Sequence, residues 1–404
     1  MSETSVFGSR AVDWYKALAI LALNALVLCA GLELAAFAIF EVWSRISPQP
    51  QELEGTDSRR KVSYYASKDW ARQYWYEHGM STTQRYHPYV GWRRAPFKGT
   101  TIEINEDGIR LTPGADCSAT SFKVFIFGQS DLWGTGSPNW ETIPAHLQKG
   151  LERLRPGPVC VTNFAESGYV STQHVIMLLL QLRSGNVPDV AIVYDMWGDI
   201  YSAYQSGRAG VSQNLAQLAA RFEEPREPAK LLVDRLRATH SYALIGKLMG
   251  KLTIAKPQDE EPAPRRLVTY ESMGVDAATL SDLIVQNYLG NYEIVRGLAQ
   301  EYGFKYFFVI PPRLVMGDKP LTPEEQAMKT IDKKDASLSK LDTAVYRRIA
   351  TESTKYQNFY SMIHVFDHVD SLIWIDGSHP TPMGNHMIAT RMVDMIQGRF
   401  SAEK

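Results

Sequence analysis

Several apolar runs in this chain end on residues whose types could do chemistry. The first closes as FGQSDLWGTG, where Gly128, Gln129 and Ser130 place a hydroxyl just past a glycine turn. The second ends in NFAESGYVSTQ, the third in YDMWGDIYSAYQ, and the C-terminal segment carries WIDGSHPTPMGNH, with Asp376 and His379 three residues apart. A hydroxyl nucleophile needs a base, the base needs an orienting carboxylate, and the developing oxyanion needs donors. Ser130 could supply the nucleophile, His379 the base, Asp376 the orienter, and the backbone N–H groups of Ser130 and Gly168 two donors. A serine after a strand is usually a turn or cap residue, and an Asp near a His is usually surface decoration. It is the combination that points to acyl transfer.

The elements that must position these residues follow from the apolar patterning. KVFIFG from Lys123, VCVTNF (Val159 to Phe164), DVAIVYD (Asp189 to Asp195) and KYFFVI (Lys305 to Ile310) read as strands, and HVFD (His364 to Asp367) as a candidate fifth. Helical stretches such as IPAHLQKGLERL and LSDLIVQNYLGNYEIVRGLAQEYG separate them, and PMGNHMIATRMVDMIQ is a closing helix started by Thr381 and Pro382. Helices alternating with fully apolar strands imply a parallel sheet covered on both faces, whose reactive groups gather at the carboxyl ends of the strands. A helical insertion is expected at about 200–276, with a mobile loop at KPQDEEPAPRR. The charged stretch TPEEQAMKTIDKKDASLSKLDTAVYRRIATE reads as a solvated helix, with a lid over the sheet edge as the alternative.

At these residues the chain resembles the SGNH (GDSL-type) hydrolase family, in the branch with an N-terminal membrane anchor. Phe127-Gly128-Gln129-Ser130 looks like the first family block, Gly168 matches the oxyanion glycine of the second, and Asp376-Gly377-Ser378-His379-Pro380 is similar to the fifth. The resemblance runs from about Lys123 to the C-terminus, and YHPYVGWRRAPFKGTTIEINEDGIR looks like the lead-in of the anchored members. It implies a three-layer α/β/α, flavodoxin-like, five-stranded parallel sheet and a Ser-His-Asp triad of Ser130, His379 and Asp376. There is one departure. The third family block is Gly-x-Asn-Asp, whose asparagine donates to the oxyanion, and here Met196-Trp197-Gly198-Asp199 stands there, with Gly198 at the asparagine position. Losing such a donor typically costs about 10²–10³ in kcat. Asn163, Gln129 or an ordered water are the alternatives for filling the gap, and Gly198→Asn is expected to raise activity if the hole is merely incomplete. Gln129, Trp133, Trp197 and Asp199, at the same strand exits, are the candidate substrate-binding residues; the two indoles could wall a carbohydrate cleft or pack in the core.

Composition bounds the rest. With 43 Lys+Arg against 44 Asp+Glu in 404 residues, the chain has no global field to hold a polyanion, which argues against nucleic acid. Three cysteines make no disulfide-dense scaffold and no zinc motif, and His364 and His368 lack a third ligand of suitable spacing, so neither metal nor cofactor is expected. His386 reads as a packing or surface histidine. Cys117 and Cys160 lie near the starts of the first two strands, where a disulfide is conceivable in an oxidising compartment, while Cys29 reads as inert.

The run from Ala17 to Phe40 is long and apolar enough to cross a bilayer, flanked by Trp14, Tyr15 and Lys16 on one side and Trp43 and Arg45 on the other. A signal peptide cleaved near Ala36-Phe37-Ala38 is the alternative, and the run is long for one. Glu33 is costly at the bilayer centre and marks either a helix contact or a shifted span. The division expected is a cytoplasmic segment 1–16, an anchor 17–42, a linker 43–62, a lead-in 63–122 packing on the catalytic domain, and an SGNH hydrolase-like domain 123–404. Flanking charge alone favours the opposite orientation, since Arg45, Arg59, Arg60 and Lys61 follow the span, but a long domain translocates despite it. The resulting expectation is a single-pass, extracytoplasmic serine esterase or O-acyltransferase acting on acetyl esters of cell-envelope carbohydrate. Its partners would be the membrane, the ester substrate and envelope polysaccharide machinery. The alternative is a catalytically impaired protein that binds polysaccharide or scaffolds an envelope complex, with Gly198 as its signature.

Overall fold

The computed structural model describes residues 4–46, 57–223, 235, 239–242, 244, 268–332 and 335–401. It divides into two units, Met1–Leu53 with Arg221–Arg266, and Glu54–Ala220 with Leu267–Lys404. In the first unit, helix α1 spans Thr4–Ile46 without a break, so the expected short segment 1–16 is helical from Thr4 onward. Its stretch Asp13–Ile39 has a mean hydropathy of 2.2 and the length to cross a membrane. Glu33 does mark a contact. Its carboxylate accepts the backbone N–H groups of His240 at 2.6 Å and Ser241 at 3.0 Å, and also the Ser241 hydroxyl. About half of the expected insertion, including KPQDEEPAPRR, lies outside the described residues, as does half of the expected linker.

The second unit opens with two 3₁₀ turns (Ser58–Lys61 and Ser63–Ser67), helix α2 (Ala71–Met80) and two small hairpins, β1 (Gln84–His87) with β2 (Gly91–Arg94) and β3 (Phe97–Lys98) with β4 (Glu103–Ile104). Then come β5 (Phe122–Gly128), α3 (Ser130–Trp133), α4 (Ile143–Glu152), β6 (Val159–Asn163), α5 (Ser171–Arg183), β7 (Val190–Tyr194), α6 (Trp197–Ser206) and α7 (Leu215–Glu223). Beyond the insertion lie α8 (Ala277–Tyr302), β8 (Lys305–Ile310), α9 (Pro323–Asp332), α10 (Ala336–Ser353), β9 (Phe359–Ser361) and α11 (Pro382–Ser401).

The strands β5 to β9 form one parallel sheet in the order β6-β5-β7-β8-β9, the flavodoxin-like arrangement. Successive side chains of a strand point to opposite faces, which is why these strands are apolar throughout. Val124 and Ile126 of β5 join Ile192 and Val309 in the core under α4 and α11. Phe125 and Phe127 join Val193 and Phe308 in the core under α5, α6, α8 and α10. The result is a three-layer α/β/α domain. Strand order reverses at β5, so the carboxyl ends of β5 and β7 flank the crevice where such sheets hold ligands.

Two expectations need correction. His364 to Asp367 is not a strand: Val365 N–H bonds to Met362 O at 3.0 Å and Asp367 N–H to His364 O at 3.3 Å, so these backbone groups are satisfied in successive turns. The fifth strand is Phe359–Ser361, paired with Phe308 to Ile310, and three residues are too few to carry a periodic signal. The charged stretch after β8 is neither a lid nor a solvated helix throughout. Leu341, Val345, Tyr346 and Ile349 of α10 are buried in the second core. The disulfide is formed, joining Cys117 and Cys160 with a Cα–Cα distance of 4.8 Å.

Within the lead-in, a buried charge ties α2 to the turn between β3 and β4. The Glu77 carboxylate, on α2, accepts the backbone N–H groups of Thr100 (2.7 Å), Thr101 (2.8 Å) and Ile102 (2.9 Å), the Thr101 hydroxyl (2.6 Å) and Gln73 Nε2 (2.8 Å). Burial would raise its pKa, but the bonds from Gln73, Thr101 and these amides prevail and hold it at about 2. Its stabilisation is therefore fully present above the ordinary carboxylate value and fades as pH falls toward about 2. Glu77→Gln replaces an acceptor oxygen with a donor facing donors, and is expected to cost about 3 kcal/mol or more at neutral pH, read as a lower urea midpoint. The difference from wild type should shrink below about pH 4.

Candidate active site

Strand β5 ends at Gly128, Gln129 continues extended, and Ser130 opens the four-residue helix α3, which a left-handed Gly134 terminates at φ 102°. The lead-in holds the loop beyond this helix. Buried Arg110 donates to the carbonyls of Trp133 (3.1 Å), Gly134 (2.8 Å) and Ser137 (2.7 Å), and the Tyr74 hydroxyl accepts the Gly136 N–H at 2.6 Å. Ser130 thus rests on a strand behind and a clamped loop ahead.

The loop Trp374 to Thr381 reaches the same place from the C-terminal segment. It is closed by Ile375 N–H to His379 O (3.0 Å) and Thr381 N–H to Ile373 O (2.6 Å), and Leu314 N–H ties Gly377 O to the exit of β8 at 3.1 Å. His379 Nε2 lies 2.8 Å from Ser130 Oγ, and His379 Nδ1 lies 2.7 and 2.9 Å from the two oxygens of Asp376. Asp376 also accepts the N–H groups of Ser378 (2.9 Å) and His379 (2.8 Å). With Nδ1–H donating to Asp376, Nε2 is left to accept the serine hydroxyl, the tautomer a general base requires.

No family profile matches the chain, and no curated protein matches it. Three of the solved structures similar to it are acyl-ester hydrolases. The acetyl xylan esterase AlAXEase is 12% identical with a TM-score of 0.36, over 68% of this chain and 99% of that one. The lipase Lip_vut3 from goat rumen metagenome is 14% identical with a TM-score of 0.36, over 68% and 97%. Est24, a carbohydrate acetylesterase from Sinorhizobium meliloti, is 12% identical with a TM-score of 0.32, over 68% and 98%. Likenesses this distant do not transfer an activity.

The residue that braces the triad was not among the sequence candidates. Arg59, from a segment read as linker, places Nη1 3.4 Å from Asp376 Oδ2, and Asp57 holds it there through contacts of 2.9 Å to Nε and 2.7 Å to Nη2. Burial would raise the Asp376 pKa, but His379, Arg59 and the backbone donors keep it well below the usual carboxylate range. Asp376 is therefore ionised whenever His379 could act as base.

Other expected site residues fall differently. Trp133 is not a cleft wall: it is fully buried, with the guanidinium carbons of Arg94 and Arg110 at 3.6 and 4.4 Å from its ring centre. Asp199 does not face substrate either, because its buried carboxylate accepts the Ser171 N–H and hydroxyl, each at 2.8 Å, at the start of α5. Gly198 cannot offer its N–H to an oxyanion, since that group donates to Asp195 Oδ1 at 3.1 Å. Asn163 is buried, its Oδ1 accepting the Ala165 N–H (3.1 Å) and its Nδ2 facing Trp133 O (3.5 Å). Trp197 and Gln129 do line the small cavity at Ser130, together with Asp131, Pro311 and Arg313. The Arg313 guanidinium carbon lies 3.4 Å from the Trp197 ring centre. Gly168, at φ 81°, and Ser130 have backbone N–H groups with no acceptor among the described residues.

The acidic groups at the exits of β5 and β7 are only partly ionised near neutral pH. Burial pushes the carboxyls of Asp131, Asp195 and Asp199 up to about 7, and burial pulls His174, 3.0 Å from Asp195 Oδ2, down to about 4. A partly protonated Asp131 opposes negative charge at the cavity less than an ionised one. His364 pairs with Asp367 at 2.7 Å, and with Asp318 these form the one group among the described residues whose ligand atoms lie within 4.8 Å of one another. Asp318 and His364 are exposed and Asp367 half-buried, the group is remote in sequence from Ser130, and His368 is not part of it.

Proposed function

We propose that this chain is a membrane-anchored, extracytoplasmic serine esterase or O-acyltransferase acting on acetyl esters of cell-envelope carbohydrate. The observation that carries the chemistry is the unbroken line of contacts from Ser130 Oγ through His379 to Asp376 at the carboxyl end of the sheet. His379 takes the hydroxyl proton as Ser130 attacks the acyl carbonyl, and the N–H groups of Ser130 and Gly168 receive the oxyanion. Collapse of the tetrahedral intermediate expels the alcohol, protonated by His379, and leaves an acyl-serine. Water or a sugar hydroxyl then takes the acyl group by the same steps in reverse. The apolar helix Asp13–Ile39 supports anchoring, and the Cys117–Cys160 disulfide favours an oxidising compartment outside the cytoplasm. The carbohydrate part of the reading rests on the sequence resemblance.

The cavity beside Ser130 bears on the acyl group, having room for little more than one water-sized group between Trp197, Arg313 and the Pro311-Pro312 pair. That suits an acetyl methyl better than a long chain. For the full chain in detergent, p-nitrophenyl acetate is expected to be cleaved at least about 10²-fold more efficiently than the octanoate ester, since each excess methylene must displace packed atoms. A serine-directed phosphonate should label Ser130 once per chain, detected by peptide mass. Equal turnover of both esters would remove the acetyl assignment, and failure to label Ser130 would remove the serine mechanism. The commitment of the Gly198 N–H to Asp195 favours the second reading, a binding or scaffolding protein, which that second result would support.

A further inference from the structure

The Ser130 and Gly168 amides are two donors, and among the alternatives for the third the geometry favours Gln129. A Cβ built on Gly198 would overlap Gln129 Nε2 and the carbonyl oxygen of Tyr169, and would lie 3.0 Å from Asp195 Oδ2. The Gln129 amide therefore occupies the space in which a side chain at 198 would begin. Its orientation is fixed by chemistry: the atom 2.6 Å from Tyr169 O must be the nitrogen, since two carbonyl oxygens do not bond. An amide nitrogen carries two hydrogens. One goes to Tyr169 O, and the other has no acceptor among the described residues. Gln129 is 5% exposed yet lines the cavity at Ser130, a dry, packed position beside the reacting centre.

We propose that Gln129 is a catalytic residue whose second Nε2–H donates to the oxyanion of the tetrahedral intermediate at Ser130. It thereby does from the residue preceding the nucleophile what no side chain at Gly198 can do. The inference rests on the acyl-transfer reading above. Tyr169 O preorganises the donor, so the hydrogen bond forms as charge develops without reorganising the amide, the condition under which such donors are most effective. Being stronger in the transition state than in the ground state, it should act on kcat rather than KM.

The test uses the full chain in detergent with p-nitrophenyl acetate. Gln129→Met keeps the length and removes the donor, and Gln129→Glu keeps the shape and places a carboxyl there. Both are expected to lower kcat by about 10²–10³-fold with KM within about threefold of wild type. A folded variant of either kind with kcat within threefold of wild type overturns the inference and leaves the serine mechanism standing. Wild type without Ser130-dependent turnover overturns both. Because either variant could fail to fold, the wild-type chain phosphonylated at Ser130 provides a second measurement by crystallography. Gln129 Nε2 within about 3.2 Å of the phosphoryl oxygen supports the inference, and a separation beyond about 4 Å overturns it.

Discussion

Ser130→Ala is expected to lower acetyl ester turnover by roughly 10⁴-fold or more, leaving only what the oxyanion donors and binding supply. No other described hydroxyl has the same relations: Ser378, next in the chain to His379, faces Nδ1 at 3.4 Å and not Nε2, on the side already taken by Asp376. His379→Ala should cost nearly as much, because Ser130 Oγ then loses its acceptor at 2.8 Å and attacks as a neutral alcohol. The two residues act on one proton, so the double variant should fall no further than the worse single one. Additive losses would indicate that serine and histidine act in separate steps. Turnover should be followed as p-nitrophenol release by the full chain in detergent, with an unchanged melting temperature showing that the fold is intact.

Much of this arrangement was legible because it is local or periodic. Four of the five sheet strands are runs apolar on both faces, and the fifth-block spacing of Asp376 and His379 is short enough for one loop to join them to each other. What the sequence concealed depends on distant contacts. Arg59 meets Asp376 across 317 residues, from a polar, aperiodic stretch that gives no sign of structure. Trp133 reads from the sequence as either a cleft wall or a core residue because it follows a strand exit closely; its place in the apolar core and the approach of Arg94 and Arg110 from the lead-in decide for core. Asp199 looked like a site residue by its place after β7, yet its role is set by Ser171, which no local pattern connects to it. The strand at Phe359–Ser361 lies at the sheet edge, where one neighbour and partial exposure relax the demand for apolar residues.

Gly198 is where sequence and structure give opposite expectations. Read by position, Gly198→Asn restores a missing donor and should raise kcat. Read by space, it drives a Cβ into the Gln129 amide and the Tyr169 carbonyl. The amide belongs to a side chain and can swing away, but only by leaving Tyr169 O and the cavity. The carbonyl is backbone, in a turn closed by Tyr169 N–H to Glu166 O at 3.3 Å, and the Tyr169 hydroxyl bonds to Trp92 O. Moving it disturbs the Gly168 donor next to it in the chain. Gly198→Asn is therefore expected to lower kcat by about 10³-fold, at least as much as removing the Gln129 donor alone, with an overpacking cost of about 1–3 kcal/mol read as a lower melting temperature. Gln129→Ala combined with Gly198→Asn relieves one overlap and not the other, so that double variant should remain below wild type. If instead it matched wild type, the asparagine would have reached the oxyanion past Tyr169, and the exclusion of side chains from position 198 would rest on Gln129 alone.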